Sequence, residues 1–394
     1  MNAMAGAGPP RSGGGSAATR AGTGAAAPPA EQRFACEQCG ALLTYQPGTA
    51  ELVCAYCGHR NHIVEATTAI VENDLAEALR RGLAAAPEET TQTVKCTACA
   101  AEFTFDRNRH AGACPFCGSA IVADPGSHRQ IRPAALLPMA IAEPEARQRL
   151  STWLRGLWFA PSKLKEFART GGRLVGVYLP YWTYDSRTET DYAGQRGTIY
   201  HERVAVRVVR NGRSATEMRS VQKVRWQPAS GRVRRDFDDV LVPAAGSLPA
   251  GLVEALEPWD LQDLRPYTEG YLSGFQSETY QVPLDAGFGS AQAKMRAVIT
   301  RDVEADIGGD LQRVDRLEVR HSGTSFKHVL LPVWLGVYRF GGRTYRLCIN
   351  GRTGEVHGER PWSAWKLAGA VLLVLAIAAT IYLLYGILPQ APRF

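Results

Sequence analysis

Eight of the nine cysteines fall in four Cys-x-x-Cys pairs, Cys36/Cys39, Cys54/Cys57, Cys96/Cys99 and Cys114/Cys117, and 14 residues separate the pairs within each half of this set. A tetrahedral Zn²⁺ takes four thiolates at about 2.3 Å, and two intervening residues let one tight turn present both sulfurs. Each pair therefore reads as half of a four-cysteine site, and the set as two zinc ribbons in tandem. The second knuckle of each copy, Cys54-Ala55-Tyr56-Cys57-Gly58 and Cys114-Pro115-Phe116-Cys117-Gly118, ends on the glycine that such a turn often requires. Four thiolates leave no open position for water, so both ions are expected to be structural. His59 and His62 lie close enough in sequence to replace a cysteine, but four sulfurs are already at hand.

The repeat extends beyond the ligands. Aligning Cys36 with Cys96 sets Leu42-Leu43-Thr44-Tyr45 beside Glu102-Phe103-Thr104-Phe105, and His59 to Ile63 beside Ser119 to Val122, which reads as a 60-residue duplication. The zinc either presents a recognition surface for protein or nucleic acid, or replaces a core too small to fold alone. Disulfides are the competing use of eight cysteines. The paired spacing and the lack of an apolar export segment argue for reduced thiolates in a cytoplasmic setting. Cys348, the ninth, lies in an apolar strand pattern and reads as an inert buried thiol.

The expected fold class is α+β and multidomain: two tandem four-cysteine zinc ribbons, a mainly β soluble domain with a few helices, and a C-terminal transmembrane helix. Residues 1–33, almost wholly Ala, Gly, Pro, Ser and Thr, read as a disordered tail. Ribbon 1 is expected over 34–66, a helical linker over 67–93, ribbon 2 over 94–124 and the β domain over 128–360. Leu367 to Leu388 gives 22 residues without a charge, enough to span about 33 Å as a helix. Trp362 and Trp365, with Tyr382 and Tyr385, are placed for the two interfaces, and only 389–394 follow. Arg352, Arg360 and Lys366 precede the helix, so the sequence predicts a single-pass inner-membrane protein with its body in the cytoplasm.

Between the ribbons, Ile70, Leu75, Leu79 and Leu83 predict a spacer helix over Ala69 to Ala86, closed by Pro87. Further helices are predicted at Pro144 to Trp158, at Ser162 to Arg169 and at Ser290 to Ile307. Strands are predicted at Leu174 to Tyr184, Thr198 to Arg210, Ala215 to Trp226, Arg232 to Val242, Asp315 to His321, Val329 to Phe340 and in the hairpin Tyr345 to His357. Pro180 and Pro332 each precede aromatic residues (Tyr181-Trp182, and Trp334 with Tyr338) and predict strand starts or edges, with the aromatics in the core.

From His201 to Arg235 ten cations (Arg203, Arg207, Arg210, Arg213, Arg219, Lys223, Arg225, Arg232, Arg234, Arg235) face only Glu202 and Glu217. Anionic lipid headgroups, nucleic acid phosphates and an acidic protein all fit such a sheet, as does a solvated face compensated by Asp236, Asp238 and Asp239. No lysine follows a glycine, so no phosphate-cradling Walker loop exists, and the hydrolase, zinc-protease and dinucleotide motifs are absent too. An enzyme is not expected, and no small-molecule substrate is identified.

The two knuckles, together with Leu157 to Lys165, Tyr178 to Tyr184, Tyr192 to Gly197, Leu331 to Trp334 and Ile349 to Gly358, resemble bacterial zinc-ribbon membrane proteins. These are labelled TFIIB-type zinc-ribbon proteins or, loosely, primosomal helicase-like. The resemblance covers about residues 34 to 388 and implies work in membrane-associated stress complexes that recruit scaffold proteins. It carries no catalytic residues. The expected function is a tail-anchored, cytoplasm-facing adaptor that recruits protein partners to the inner membrane. The alternative is a membrane-tethered nucleic-acid binder using the ribbons and 201–235.

Overall fold

The computed structural model describes residues 34–65, 69–81, 88–96, 101–104, 111–116, 120–122, 126–157, 174–210, 213–340, 343–359 and 364–387. The first ribbon supplies β1 (Leu43–Tyr45), β2 (Glu51–Cys54) and β3 (Arg60–His62), followed by β4 (Asn73–Asp74) and the short helix Leu75–Arg81. The second ribbon region supplies β5 (Glu88–Lys95), β6 (Glu102–Thr104), β7 (Ala111–Ala113), β8 (Ala120–Val122) and β9 (Gly126–Ile131). Then come β10 (Ala135–Leu136), the helix Glu143–Gly156, β11 (Leu174–Arg210), β12 (Arg213–Pro243) and the helix Ala250–Glu254. The remainder is β13 (Arg265–Pro266), β14 (Gln276–Ser277), the helix Leu284–Ile307, β15 (Leu311–Phe340), β16 (Arg343–Asn350), β17 (Val356–Gly358) and the helix Ala364–Ile387.

Three long antiparallel strands, in the order β12-β11-β15, form the spine. The sequence predicts four shorter strands where β11 and β12 run unbroken, and glycine explains the difference. Gly194 lies at a register shift where an added Cβ would stand 2.2 Å from the Arg313 carbonyl oxygen. Gly231 lies opposite Tyr192, whose ring fills the space a side chain would take. These glycines sit where side chains cannot, and the neighbouring ring covers the backbone. Pro228, the other apparent breaker, is on β12, which pairs only with β11 and tolerates a missing donor on its free side.

Pro180 and Pro332 lie inside the sheet, not at strand starts. β12 begins pairing with β11 only at Tyr181, and β14 stops at Tyr178, so Pro180 occupies the gap between two neighbours. Pro332 likewise precedes Val333, where the pairing with β16 begins. The missing N–H of each faces a handover between strands.

Side-chain alternation divides the core. Val177, Leu179 and Tyr181 of β11, with Val329, Leu331 and Val333 of β15, pack on one face against Val94, Phe103 and Phe116 of the second ribbon region. Tyr178, Leu330 and Trp334 pack on the opposite face against Leu43, Tyr45 and Leu52 of the first, together with Ala146, Leu150 and Leu154. Further along this second face, Trp182, Tyr184 and Phe326 receive Ala291, Met295, Ile299 and Val303, a four-residue stripe of the helix Leu284–Ile307. The two cysteine modules therefore clasp one sheet from either side. The predicted spacer helix is only Leu75–Arg81 among the described residues, and its Leu75 and Ala78 join the third cluster.

The expected α+β chain with a membrane span is corrected. The described residues are mostly β with few helices, and among them no helix is long and apolar enough to cross a membrane. A helix does form at Ala364–Ile387. The single-pass inner-membrane placement, which rested on Leu367 to Leu388, falls with the span. Residues 1–33 and 389–394, and the helix expected at Ser162 to Arg169, lie outside the described residues.

Candidate metal centre

Each knuckle of the first ribbon is a tight turn closed by its own backbone. Gly40 N–H donates to the Cys36 carbonyl (2.8 Å) and Gly58 N–H to that of Cys54 (2.9 Å), with both glycines at positive φ (72° and 76°). The hairpin then returns, Cys36 N–H donating to Ala41 O (2.7 Å) and Cys54 N–H to His59 O (2.8 Å). The β1–β2 pairing of Leu43 with Cys54 brings the knuckles together. The Sγ atoms of Cys36, Cys39, Cys54 and Cys57 lie within 4.8 Å of one another, with Cys36–Cys57 and Cys39–Cys54 each at 3.5 Å. A tetrahedral ion with bonds of about 2.3 Å needs sulfurs about 3.8 Å apart; a disulfide needs about 2 Å. The geometry fits the ion, and these four cysteines can hold one.

The electrostatics point the same way. The backbone N–H groups of Cys57 and Tyr56 hold Cys54 down at about 6, even though it is buried. The N–H of His59 pulls on Cys57 in the same sense, but desolvation within the cluster and the adjoining thiols push that residue up to about 12. One thiolate forms readily, and the rest need a cation to offset their mutual repulsion. His59 and His62 are not in the cluster; His62 Nε2 lies 3.8 Å from Glu51 on the hairpin edge.

In the second ribbon region Cys96 and Cys114 are buried in the cluster with Phe103 and Phe116, whereas Cys99 and Cys117 lie outside the described residues. The local plan recurs sixty residues on. Cys96 N–H donates to Ala101 O (2.8 Å), and β7–β8 pairs Ala111 with Val122 as β2–β3 pairs Glu51 with His62. Cys348 is fully buried, and burial pushes its thiol far above the usual range.

Ribbon 1 is fixed to the sheet by polar as well as apolar contacts. The Tyr45 hydroxyl, pushed up to about 12 by burial and so kept protonated, donates to Thr49 O and Met139 O (3.0 Å each). Tyr45 N–H donates to Ser273 O (2.9 Å) and Ser273 Oγ to Leu43 O (2.6 Å). The opposite side of the ribbon faces solvent: Cys39 and Cys57 are exposed, as are Leu42 (63 %) and Tyr56 (87 %).

The basic segment divides in two. Near the root, Arg232 pairs with Glu189 and Asp191 (2.6 Å each), Arg235 with Asp302 (3.1 Å) and Arg234 with Glu189 (3.6 Å). The compensating carboxylates are thus cross-strand and helical partners, not Asp236, Asp238 and Asp239. At the tip the cations outnumber their partners. Sequence reasoning also missed Glu278, which is 1 % exposed beneath the second ribbon region, and Lys327, buried between Glu72 (3.0 Å) and Asp239 (2.7 Å). No local pattern marks either, because their partners lie far away in sequence.

No family model matches the chain. It is 22 % identical over 336 residues to "Uncharacterized protein YdjG" of Bacillus subtilis (strain 168), covering 85 % of this chain and 92 % of that protein. No solved structure matches.

Proposed function

We propose that this chain is a zinc-stabilised docking scaffold that recruits a protein partner, a binding protein with no catalytic role. Zinc would be held by Cys36, Cys39, Cys54 and Cys57, and by Cys96, Cys99, Cys114 and Cys117 in the second module, as in the two-ribbon bacterial family its motifs resemble. Thiolate sulfur and tetrahedral geometry favour zinc over hard cations, and four thiolates close the coordination sphere. The observation that carries the reading is the two-sidedness of ribbon 1. Its inner side shares a core with the sheet, while its metal knuckles hold Leu42 and Tyr56 out in water. An exposed tyrosine on a rigid, metal-braced turn is a low-entropy anchor for a partner surface.

The experiment is affinity purification of the full chain and of its Leu42→Ser, Tyr56→Ser double variant, with bound zinc measured in both. Loss of the captured partner at unchanged zinc content is the expected result; the same partners on both proteins would refute the reading. Against the nucleic-acid alternative, three of the ten cations of its patch, Arg232, Arg234 and Arg235, are already paired with carboxylates within the fold.

A further inference from the structure

The three-stranded spine becomes two-stranded at one end. The helix Leu284–Ile307 stops at Gly308 and Gly309, both at positive φ, and β15 starts pairing with β11 only at Leu311, opposite Gly197. β11 and β12 continue together from Thr198–Arg225 to Arg210–Arg213, thirteen further pairs, or roughly 40 Å. In this stretch neither face is covered. Residues 201–203, 205 and 207 are exposed, as are Met218 (60 %) and Val221 (38 %), and Val204 and Val206 are only half-buried.

The lane beside β11 is marked by its last occupant. Asp310 N–H donates to Gly197 O (2.9 Å), and Asp310 Oδ2 accepts from Ile199 N–H (2.7 Å). Backbone groups in a strand alternate in direction with period two, so His201, Arg203, Ala205, Arg207 and Val209 turn their N–H and C=O into the same lane. Among the described residues no strand fills it. The arm from 198 to 225 carries seven Lys and Arg against Glu202 and Glu217. Both carboxylates are already paired, with Lys223 (2.5 Å) and Arg219 (3.5 Å), and Arg225 stacks on the Tyr200 ring. Arg203 and Arg207, on the face shared by the lane-side residues, have no carboxylate among the described residues.

We propose that the β11 edge from His201 to Val209 is a docking strand for an extended acidic segment of a partner protein, which adds as the third strand in the lane that β15 leaves open. Strand addition satisfies the free backbone groups, and the side-chain period sets the sequence pattern. Carboxylates at alternate positions would meet Arg203 and Arg207, and β-branched apolar residues between them would cover Val204 and Val206. A second copy of this arm would bring cation against cation, the usual guard of an open edge. A nucleic acid would neutralise the arginines and leave the backbone lane and the valines unused. The site is separate from the ribbon tip, so the two readings stand or fall independently.

The test is fluorescence anisotropy on the full chain with a labelled ten-residue peptide of alternating Glu and Val, an alternating Lys and Val control, and a twenty-base-pair DNA duplex. Ala205→Pro removes one lane-side N–H without touching the ladder to β12. Arg203→Glu with Arg207→Glu changes only surface charge. The acidic peptide is expected to bind the native chain and to lose about tenfold or more in affinity with either variant, while Leu42→Ser with Tyr56→Ser leaves it unchanged. Binding that ignores both arm variants, absence of binding, or capture of the duplex in place of the peptide with log K falling by about 0.9 per phosphate neutralised would each overturn the proposal. Loss of a partner through Tyr56 in a chain that ignores the peptide would sink the arm and leave the ribbon reading standing.

Discussion

Glu278 offers the sharpest quantitative test of how the second ribbon region is seated. Its carboxyl is 1 % exposed, accepts from Ser247 Oγ (2.7 Å) and Gln281 Nε2 (3.2 Å), and sits at a β-bridge with Phe103. Burial pushes it up to about 8 from 4.5, with Glu102 adding repulsion, even though the Ser247 hydroxyl and the Ser247 and Gly246 amides favour the charged form. A pKa raised on folding contributes stability that is complete below the unfolded value and is lost as pH rises through the folded one. The window therefore runs from 4.5 to about 8. At about 1.4 kcal/mol per pH unit the full loss is about 5 kcal/mol, of which about 3 kcal/mol is gone by neutral pH. Glu278→Gln removes the proton but adds a donor facing two amides, at a cost of about 1–2 kcal/mol. Urea unfolding of the full chain at about pH 5.5, 7 and 8.5 is the assay. The two proteins should be about equally stable at the acid end, and the variant the stronger by about 3 kcal/mol at the alkaline end. Parallel pH profiles for the two proteins would show that Glu278 is ionised in the fold and refute the argument.

Metal analysis of the full chain should give two zinc ions, falling to one in Cys39→Ser with Cys57→Ser; a single ion in the native chain, or iron absorbance, would contradict the ligand assignment. Gly194→Ala puts a Cβ 2.2 Å from a backbone oxygen that no rotamer can move. It should cost at least about 2 kcal/mol in urea unfolding, and a neutral result would mean that the register shift at Ala193 and Gly194 is not rigid.

The first candidate metal site was legible because its cysteines carry their own spacing: Cys36, Cys39, Cys54 and Cys57 converge as the two pairs predict. The strands were legible in kind but not in length. Gly194, Gly197 and Gly231 read as breaks, since nothing local shows that Tyr192 and Trp226 lie over them. The helix predicted from Ser290 begins at Leu284, because Gly287 and Gly289 look like a loop. Gly287 is in fact required, since its Cβ would lie 2.5 Å from the Tyr184 hydroxyl. The apolar run Leu367 to Leu388 did predict a helix, while membrane crossing was a further step that the described residues do not meet. Charge was the least legible property. A count of cations over 201–235 cannot show that Glu189 and Asp191 on the neighbouring strand pair with Arg232 and Arg234, and Asp302 on the helix with Arg235.

The seating of both modules on one sheet changes what a metal held by the cysteines would do. A free ribbon owes its fold to zinc and loses only itself when the ion leaves. Here Tyr45 of the first module donates to Met139 O, Met139 N–H donates to the Tyr178 hydroxyl, and the Tyr178 carbonyl accepts from Glu278 N–H. Glu278 in turn bridges to Phe103 of the second module, and Thr279 N–H donates to Glu102 O (3.3 Å). One buried tyrosine in β11 thus has a module on each side of it, and among the described residues neither module has an apolar core apart from the sheet. Opening a knuckle removes Leu43, Tyr45 and Leu52 from the cluster that also covers Tyr178 and Trp334, leaving those aromatics exposed to water. Each side chain of that size uncovered costs about 2–3 kcal/mol, so loss of a metal from this site would destabilise the whole sheet and not release a bead on a string. That is the physical reason to expect chelation to lower the cooperative unfolding midpoint of the entire β12-β11-β15 spine, and with it the stability of the arm that projects from its end.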